Sequence, residues 1–211
     1  CFSVTFFHYR YEAYLITFGI LALSYSLEEY IPSSFRITPK ILILVIISAG
    51  PLYFGWYRFK EAFTENAKAI RNIYEQQVQM AQFTRQYLNG SAIALNDIGA
   101  VNLYADIHCL DLIGISSIDI AKTRLSGKYT SRFILEQVSK NHIRYAMIYD
   151  HWFSERMPEL LQSMTKVAEW TIHDNVICGG NTVSFYVIHK EEATELAEHL
   201  RAYQQSTLPV D

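Results

Sequence analysis

The sequence predicts an α/β protein: an N-terminal transmembrane helical hairpin, then a long helix and a mixed-sheet α/β soluble domain. Three observations carry that prediction. Two uncharged apolar runs fall within the first 57 residues, an apolar stripe of helical period follows, and short strand-like and helical segments alternate from residue 91 onward. The expected division is 1–57, with helices at about 11–30 and 37–57; 58–90, a connecting amphipathic helix; and 91–211, the α/β domain.

The first run, "AYLITFGILALSYSL" at 13–27, has fifteen uncharged residues, and the second, "ILILVIISAGPLYFGW" at 41–56, has sixteen. A spanning helix needs roughly 20 apolar residues. Both runs approach that length when Tyr9, Tyr11, Tyr30, Ile37 and Tyr57 are counted. Tyr and Trp at their ends fit an interfacial belt, so a lipid bilayer is the expected partner. Pro51 would kink the second helix. The competing reading is two buried core helices. No basic segment or small-residue cleavage site marks the first run as a signal peptide. Arg36 and Lys40 between the runs are matched by Arg58 and Lys60 after them, so charge does not orient the pair. The chain starts at Cys1 without Met, as expected of a piece of a longer polypeptide.

Charge is scarce in this region: only Arg10, Glu12, Glu28, Glu29, Arg36 and Lys40 carry it before residue 58. Charged residues make up 18% of the whole chain, below the quarter usual in soluble domains, and half of its residues are apolar. A net charge of −3 without a basic stripe argues against nucleic acid. Of Cys1, Cys109 and Cys178, the last two could pair outside the cytoplasm or remain buried thiols. Neither cysteine has zinc-ligand spacing to His108 or His173, so no metal is expected.

From 57 to 88, Phe59, Phe63, Ala67, Ile70, Tyr74, Val78 and Ala81 recur at steps of three or four, one face of a helix that Asn89-Gly90 stops. Residues 92–95 then read as a strand, 97–104 as a short helix and 108–113 as a second strand. A helix at 131–141 has Thr130 or Ser131 as its cap. "YAMIY" at 145–149 is a buried-type strand, and 154–167 reads as a helix with Pro158 in its first turn. Gly179-Gly180-Asn181 joins two further strands, and an acidic first turn opens a helix over 191–205.

Two units, Asn96-Asp97-Ile98-Gly99 and Asp111-Leu112-Ile113-Gly114, each follow an apolar run. Asp97 can cap the helix after it, with Gly99 allowing close packing. It can equally present a carboxylate at the edge of the sheet where α/β folds bind ligands. Asp111 and Gly114 repeat that choice one strand over, and two such carboxylates could share acid–base work. An inward Asp in an apolar run more often bonds loop amides. No phosphate loop, hydrolase elbow or catalytic triad spacing is present, and His151-Trp152 and His173-Asp174 lack a nucleophile.

"HYRYEAYLITFGI", the second apolar run, "NDIGAVNLYADIHCLDLIGI" and "IRYAMIYDHWF" resemble the C-terminal part of bacterial GT-C-type membrane glycosyltransferases. These are related to the protein O-mannosyltransferases and aminoarabinose transferases, and the resemblance spans about Tyr9 to Lys190. It implies a bacterial plasma-membrane enzyme with a polyprenyl-phosphate-linked sugar donor and an extracytoplasmic soluble domain. Its catalytic acids would lie in an N-terminal loop outside this chain. The chain would then be a non-catalytic piece that needs the remainder of a larger membrane protein. Arg10 is the candidate contact for a lipid phosphate. Asp97, Gly99, Asp111 and Gly114 are the candidate loop or ligand-edge residues, with no catalytic or cofactor role assigned. The alternative function is a membrane-anchored extracytoplasmic binding or assembly module without catalytic activity. A soluble enzyme working through Asp97 and Asp111 is the third.

Overall fold

An α-helix rises 1.5 Å per residue, which lets the apolar runs be measured against a bilayer core of about 30 Å. In the computed structural model, which describes residues 13–27 and 39–207, the first helix, α1 (Ala13–Leu27), has 15 residues. It is about 22 Å long by that rise. The second, α2 (Pro39–Asn72), is longer, but its uncharged stretch ends at Arg58 and the helix continues through Lys60, Glu61, Glu65, Lys68 and Arg71. Among the described residues, no helix is long and apolar enough to cross a membrane. The expected transmembrane hairpin is therefore corrected to one short apolar helix and one long helix of mixed character. Arg10 lies outside the described residues.

The chain divides into two units, Cys1–Ala69 and Ile70–Asp211. In the first, Phe18, Leu21 and Tyr25 of α1 and Tyr53, Phe54 and Trp56 of α2 are exposed. Trp56 stacks on Phe59, and Phe59 on Phe63, each pair at 5.9 Å between ring centres.

The second unit begins with the last residues of α2 and a π-helical turn, Ile73–Val78, continued by α3 (Gln79–Tyr87). The expected apolar stripe is the packing face only at its end, where Val78 is half-buried and Ala81 is buried in the core. Ile70 and Tyr74 are exposed, whereas Asn72, Gln76, Gln77, Met80, Phe83 and Thr84 are buried. A π turn closes its hydrogen bonds one residue later than an α turn and so rotates the face that follows. Within the turn itself Gln76 and Gln77 are buried while Ile73 and Tyr74 are exposed.

The remainder alternates: β1 (Ala92–Leu95), α4 (Gly99–Tyr104), β2 (His108–Asp111), α5 (Ile118–Leu125), α6 (Ser131–Lys140), β3 (Tyr145–Ile148), α7 (Pro158–Gln162), β4 (Thr165–Thr171), β5 (Thr182–Val187) and α8 (Ala193–Thr207). The sheet order is β2-β1-β3-β5-β4. β1 pairs in parallel with β2 and β3, while β5 runs antiparallel to both β3 and β4. The expected mixed sheet is thus present. A helix at 118–125 was not expected, and 165–167 belong to a strand rather than to the end of a helix.

Helices cover both faces of the sheet. On one, Ile93, Leu95, Met147 and Phe185 pack with Phe83 of α3 and Leu196 of α8. On the other, Leu110, Ile148 and Tyr186 pack with Ile120 of α5, Ile134 of α6 and Leu160 of α7. Burial on both sides explains why "AIAL" and "YAMI" are continuously apolar. β4 lies at an edge, with exposed Lys166 and Glu169 and a register shift between Lys166 and Ala168. Charges and bulges are how natural edge strands resist pairing with other chains.

Candidate functional site

The chain leaves β1 for β2 on one side and returns to β3 on the other, so the loops after β1 and β3 diverge. In open α/β sheets such a switch point, at the carboxyl ends of the strands, is where ligands bind. Here buried Asn96 staples the opening by accepting the backbone N–H of Tyr149 at 3.2 Å. Its own Nδ2 is buried without a hydrogen-bond partner.

Tyr149 is fully buried and lies at the centre of an amide network. Its hydroxyl donates to Gln76 Oε1 at 2.7 Å and accepts from Gln77 Nε2 at 2.9 Å. Gln76 Nε2 donates in turn to the carbonyls of Gly180 (3.1 Å) and Asn181 (3.3 Å). Asn72 ties the same connection down by accepting the Val176 N–H at 3.0 Å and donating to the His173 carbonyl at 3.3 Å. The π turn therefore presents its polar side chains to the β4–β5 connection.

Gly179-Gly180-Asn181 joins two antiparallel strands, β4 and β5, as expected of a hairpin, but in a longer connection in which neither glycine has a positive φ. They are required by space. A Cβ on Gly179 would lie 2.7 Å from the Tyr149 ring, and one on Gly180 would lie 2.6 Å from the His151 ring. Trp152 Nε1 donates to the Gly179 carbonyl at 3.3 Å, which fixes the indole beside Tyr149 with ring centres 5.6 Å apart.

The two Asp–Gly units have different surroundings. Asp111 is buried, and its Oδ1 accepts the N–H groups of Ile113 (2.8 Å) and Gly114 (3.0 Å). Its Oδ2 accepts Ser116 N–H (2.6 Å), Ser116 Oγ (3.2 Å) and Ser117 N–H (3.3 Å). Burial alone would raise its pKa, but the N–H groups of Ser116, Ile113, Gly114 and Ser117 outweigh it and hold the carboxyl below its ordinary value. Gly114 turns this loop at φ +84, and a Cβ there would lie 2.6 Å from the Ala121 nitrogen of α5. Asp97 instead faces Tyr149 and Cys178, where its charge acts on both. Ile98, not Asp97, occupies the cap position of α4, and a Cβ on Gly99 would meet nothing within 4 Å. The structure gives the two carboxylates separate partners: Asp111 its own loop, Asp97 the neighbouring strand ends.

The nucleophile-type groups nearby hold their protons. Burial, and then the charge of Asp97, pushes the Cys178 thiol up to about 12. Burial raises Cys109 as well, and both cysteines are free. Tyr149 is raised by burial and by Asp97 and Cys178. On the opposite face Asp150 gathers Lys166 (2.8 Å), Ser184 (2.9 Å) and Tyr186 (3.0 Å). Burial and Asp150 push Tyr186 up to about 12. The hydrogen bonds to Asp150 and Glu169 raise Lys166 despite the opposing effect of burial.

Alkylation tests this directly, because the thiolate is the reacting species. At pH 8, Cys178 is expected to react with iodoacetamide roughly a thousandfold more slowly in the folded chain than in urea, for a pKa near 12. Equal rates by peptide mass spectrometry would mean that the thiol is accessible and keeps its ordinary acidity, and a faster folded-state rate would reveal an activated thiol.

Alongside this edge is a cavity of about 410 Å³, lined by Arg124, Tyr129, Trp152, Phe153 and Arg156 among others. A wider hollow shares Tyr129 and Arg156 with it. Trp152 was noticed only as a neighbour of His151. Neither arginine stood out, because Arg124 lies on the unexpected α5 and Arg156 in a turn without periodicity.

A family model described as Domain of unknown function (DUF8728) matches residues 69–186, more than half of the 211-residue chain. The match starts one residue before the second unit and ends within β5. No curated protein and no solved structure matches the chain.

Proposed function

The chain belongs to the family described as Domain of unknown function (DUF8728), and on that footing we propose that its second unit is a binding module, holding a ligand without making or breaking bonds in it. One observation carries the reading: a ligand-sized cavity at the carboxyl edge is walled by Trp152, whose indole is held in place by the Gly179 carbonyl. The surrounding chemistry agrees. Asp111 is committed to its loop, and the nearby thiols and phenols are pushed toward their protonated forms.

The chain has three tryptophans, so tryptophan indole ¹⁵N labelling of the full chain gives three signals to watch. Monosaccharides, sugar phosphates and short peptides are titrated in turn. At least one class should shift the Trp152 signal saturably, leave unmoved that of Trp170, which does not line the cavity, and be recovered chemically unchanged. Turnover of any of them, lost in Asp111→Asn, would replace binding by catalysis.

A second reading rests on the Asn96–Gly99 and Asp111–Gly114 units, which lie at the ends of adjacent parallel strands, and on the apolar residues exposed on α1 and α2. The unit would then serve within a GT-C-type glycosyltransferase acting on a polyprenyl-phosphate-linked sugar, with the first unit in contact with lipid. An upstream reading frame that encodes further apolar helices with an acidic pair after the first supports this. A start codon just before Cys1 removes it.

A further inference from the structure

We propose that the cavity between the loops after β2 and β3 takes an oxyanion, a carboxylate or phosphate carried on a sugar-sized ring; this rests on the binding reading above. Arg124 and Arg156 are the charged residues lining it, and no carboxylate lines it to neutralise them. In a chain of net charge −3, this is a local excess of positive charge.

Arg124 is held ready for such a ligand. Its Nη1 donates to the Ile113 carbonyl at 2.6 Å, and its guanidinium lies over the Tyr129 ring at 5.5 Å. The Tyr129 hydroxyl donates to the Leu112 carbonyl. Both carbonyls belong to the loop that Asp111 clamps, so the buried carboxylate positions the guanidinium through two backbone acceptors. One N–H of Arg124 is spent in this way and the others remain for a ligand, since a guanidinium carries five. Arg156 is exposed and has no ion pair or hydrogen bond among the described residues. Two guanidiniums offer the paired donors that match carboxylate and phosphate oxygens.

The ring follows from the rest of the lining. Trp152 is 37% exposed and its indole is oriented by its bond to Gly179. With Ile113, Tyr129, Phe153 and Met157 it gives the cavity an apolar lining beside the two arginines. A cavity of about 410 Å³ is in the small-ligand range rather than that of a protein partner.

The full chain is titrated with D-glucuronate, D-glucose 1-phosphate and neutral D-glucose, reading the Trp152 indole N–H and the Arg156 Nε–H. At least one anion should shift both signals saturably and bind roughly tenfold more tightly than glucose, as charge-assisted hydrogen bonds require. A response to one anion alone identifies the oxyanion as carboxylate or phosphate. Arg156→Gln should weaken anion binding roughly tenfold. Because Arg156 carries no structural bond, this variant should fold as the parent does. Glucose binding as tightly as the anions, or an unaffected Arg156→Gln, overturns the charge assignment. If only peptides or neutral sugars shift Trp152, the anion proposal falls and the binding reading survives. If nothing shifts it, both fall.

Discussion

Asp111→Ala is expected to destabilise the second unit by about 3 kcal/mol, lowering its melting temperature by roughly 6–12 °C. The carboxylate accepts four backbone N–H groups and one hydroxyl across 113–117, and hydrogen bonds to a charged acceptor are the strong ones. Removing it leaves those donors competing for water in a loop that packs against α5 at Gly114. Asp111→Asn keeps one accepting oxygen but turns an NH₂ toward N–H groups, so roughly half the loss is expected. The pH dependence has a definite sign. The folded-state pKa is depressed, so the contribution is present above the unfolded value near 3.8 and is lost as pH falls through the lower folded value. Urea melts of parent and Asp111→Asn should therefore differ by a constant amount through neutral pH and converge below about pH 4. A parent-like melting temperature for Asp111→Ala would mean that the loop is held by its α5 contact alone.

The same residue shows how much of the molecule was legible beforehand. Asp111 was recognised as an inward carboxylate in an apolar run, and both loop clamping and acid–base work were open to it. The choice needed the positions of five donors, and side-chain spacing does not encode these. β1 and β3 were readable because a strand buried on both faces is continuously apolar. The cap of α6 was readable as Thr130 or Ser131, and it is the Thr130 hydroxyl that accepts the Phe133 N–H at 3.3 Å. β4 was partly hidden: it is a charged edge strand whose register shift breaks the two-residue alternation. α5 was hidden because it buries only Ile120 and leaves Ile118 and Leu125 exposed.

The expectation of a transmembrane hairpin failed for a related reason. Hydropathy counted apolar residues across 11–30 and 37–57, whereas the described helix α1 covers 15 residues and α2 runs on into charge. The amide network was the least legible feature. Asn72, Gln76 and Gln77 read from the sequence as solvated helix residues, yet all three are buried, the two glutamines within the π turn. Inverted polarity at a π turn is itself a signal of site-building, since such turns concentrate where helices serve function.

Tyr149→Phe tests that network and carries the second large effect, an expected loss of about 2 kcal/mol. The ring stays against Gly179, and what disappears is the hydroxyl, which is shared by Gln76 and Gln77 and also approached by the Gly179 backbone N–H. Both amides then remain buried with one partner fewer, and an unmade bond in the interior costs more than a made one gains. The loss should be felt beyond the site. Gln76 holds the Gly180 and Asn181 carbonyls, and Asn181 accepts the Ile172 N–H at 2.9 Å, so amide exchange at Ile172 should accelerate. Gln77 gives the discriminating control, because its Oε1 is already buried without a partner. Gln77→Leu removes that orphan acceptor, but it also removes the Nε2 that donates to Gln76 Oε1 at 3.3 Å. Either single variant leaves Gln76 Oε1 one donor and the double variant leaves it none, so the double loss should exceed the sum of the single losses by about 1 kcal/mol, as contacting residues in one network behave. Additive losses in chemical denaturation would mean that the two side chains stabilise the fold independently, and that the π turn is not organised around the Tyr149 hydroxyl.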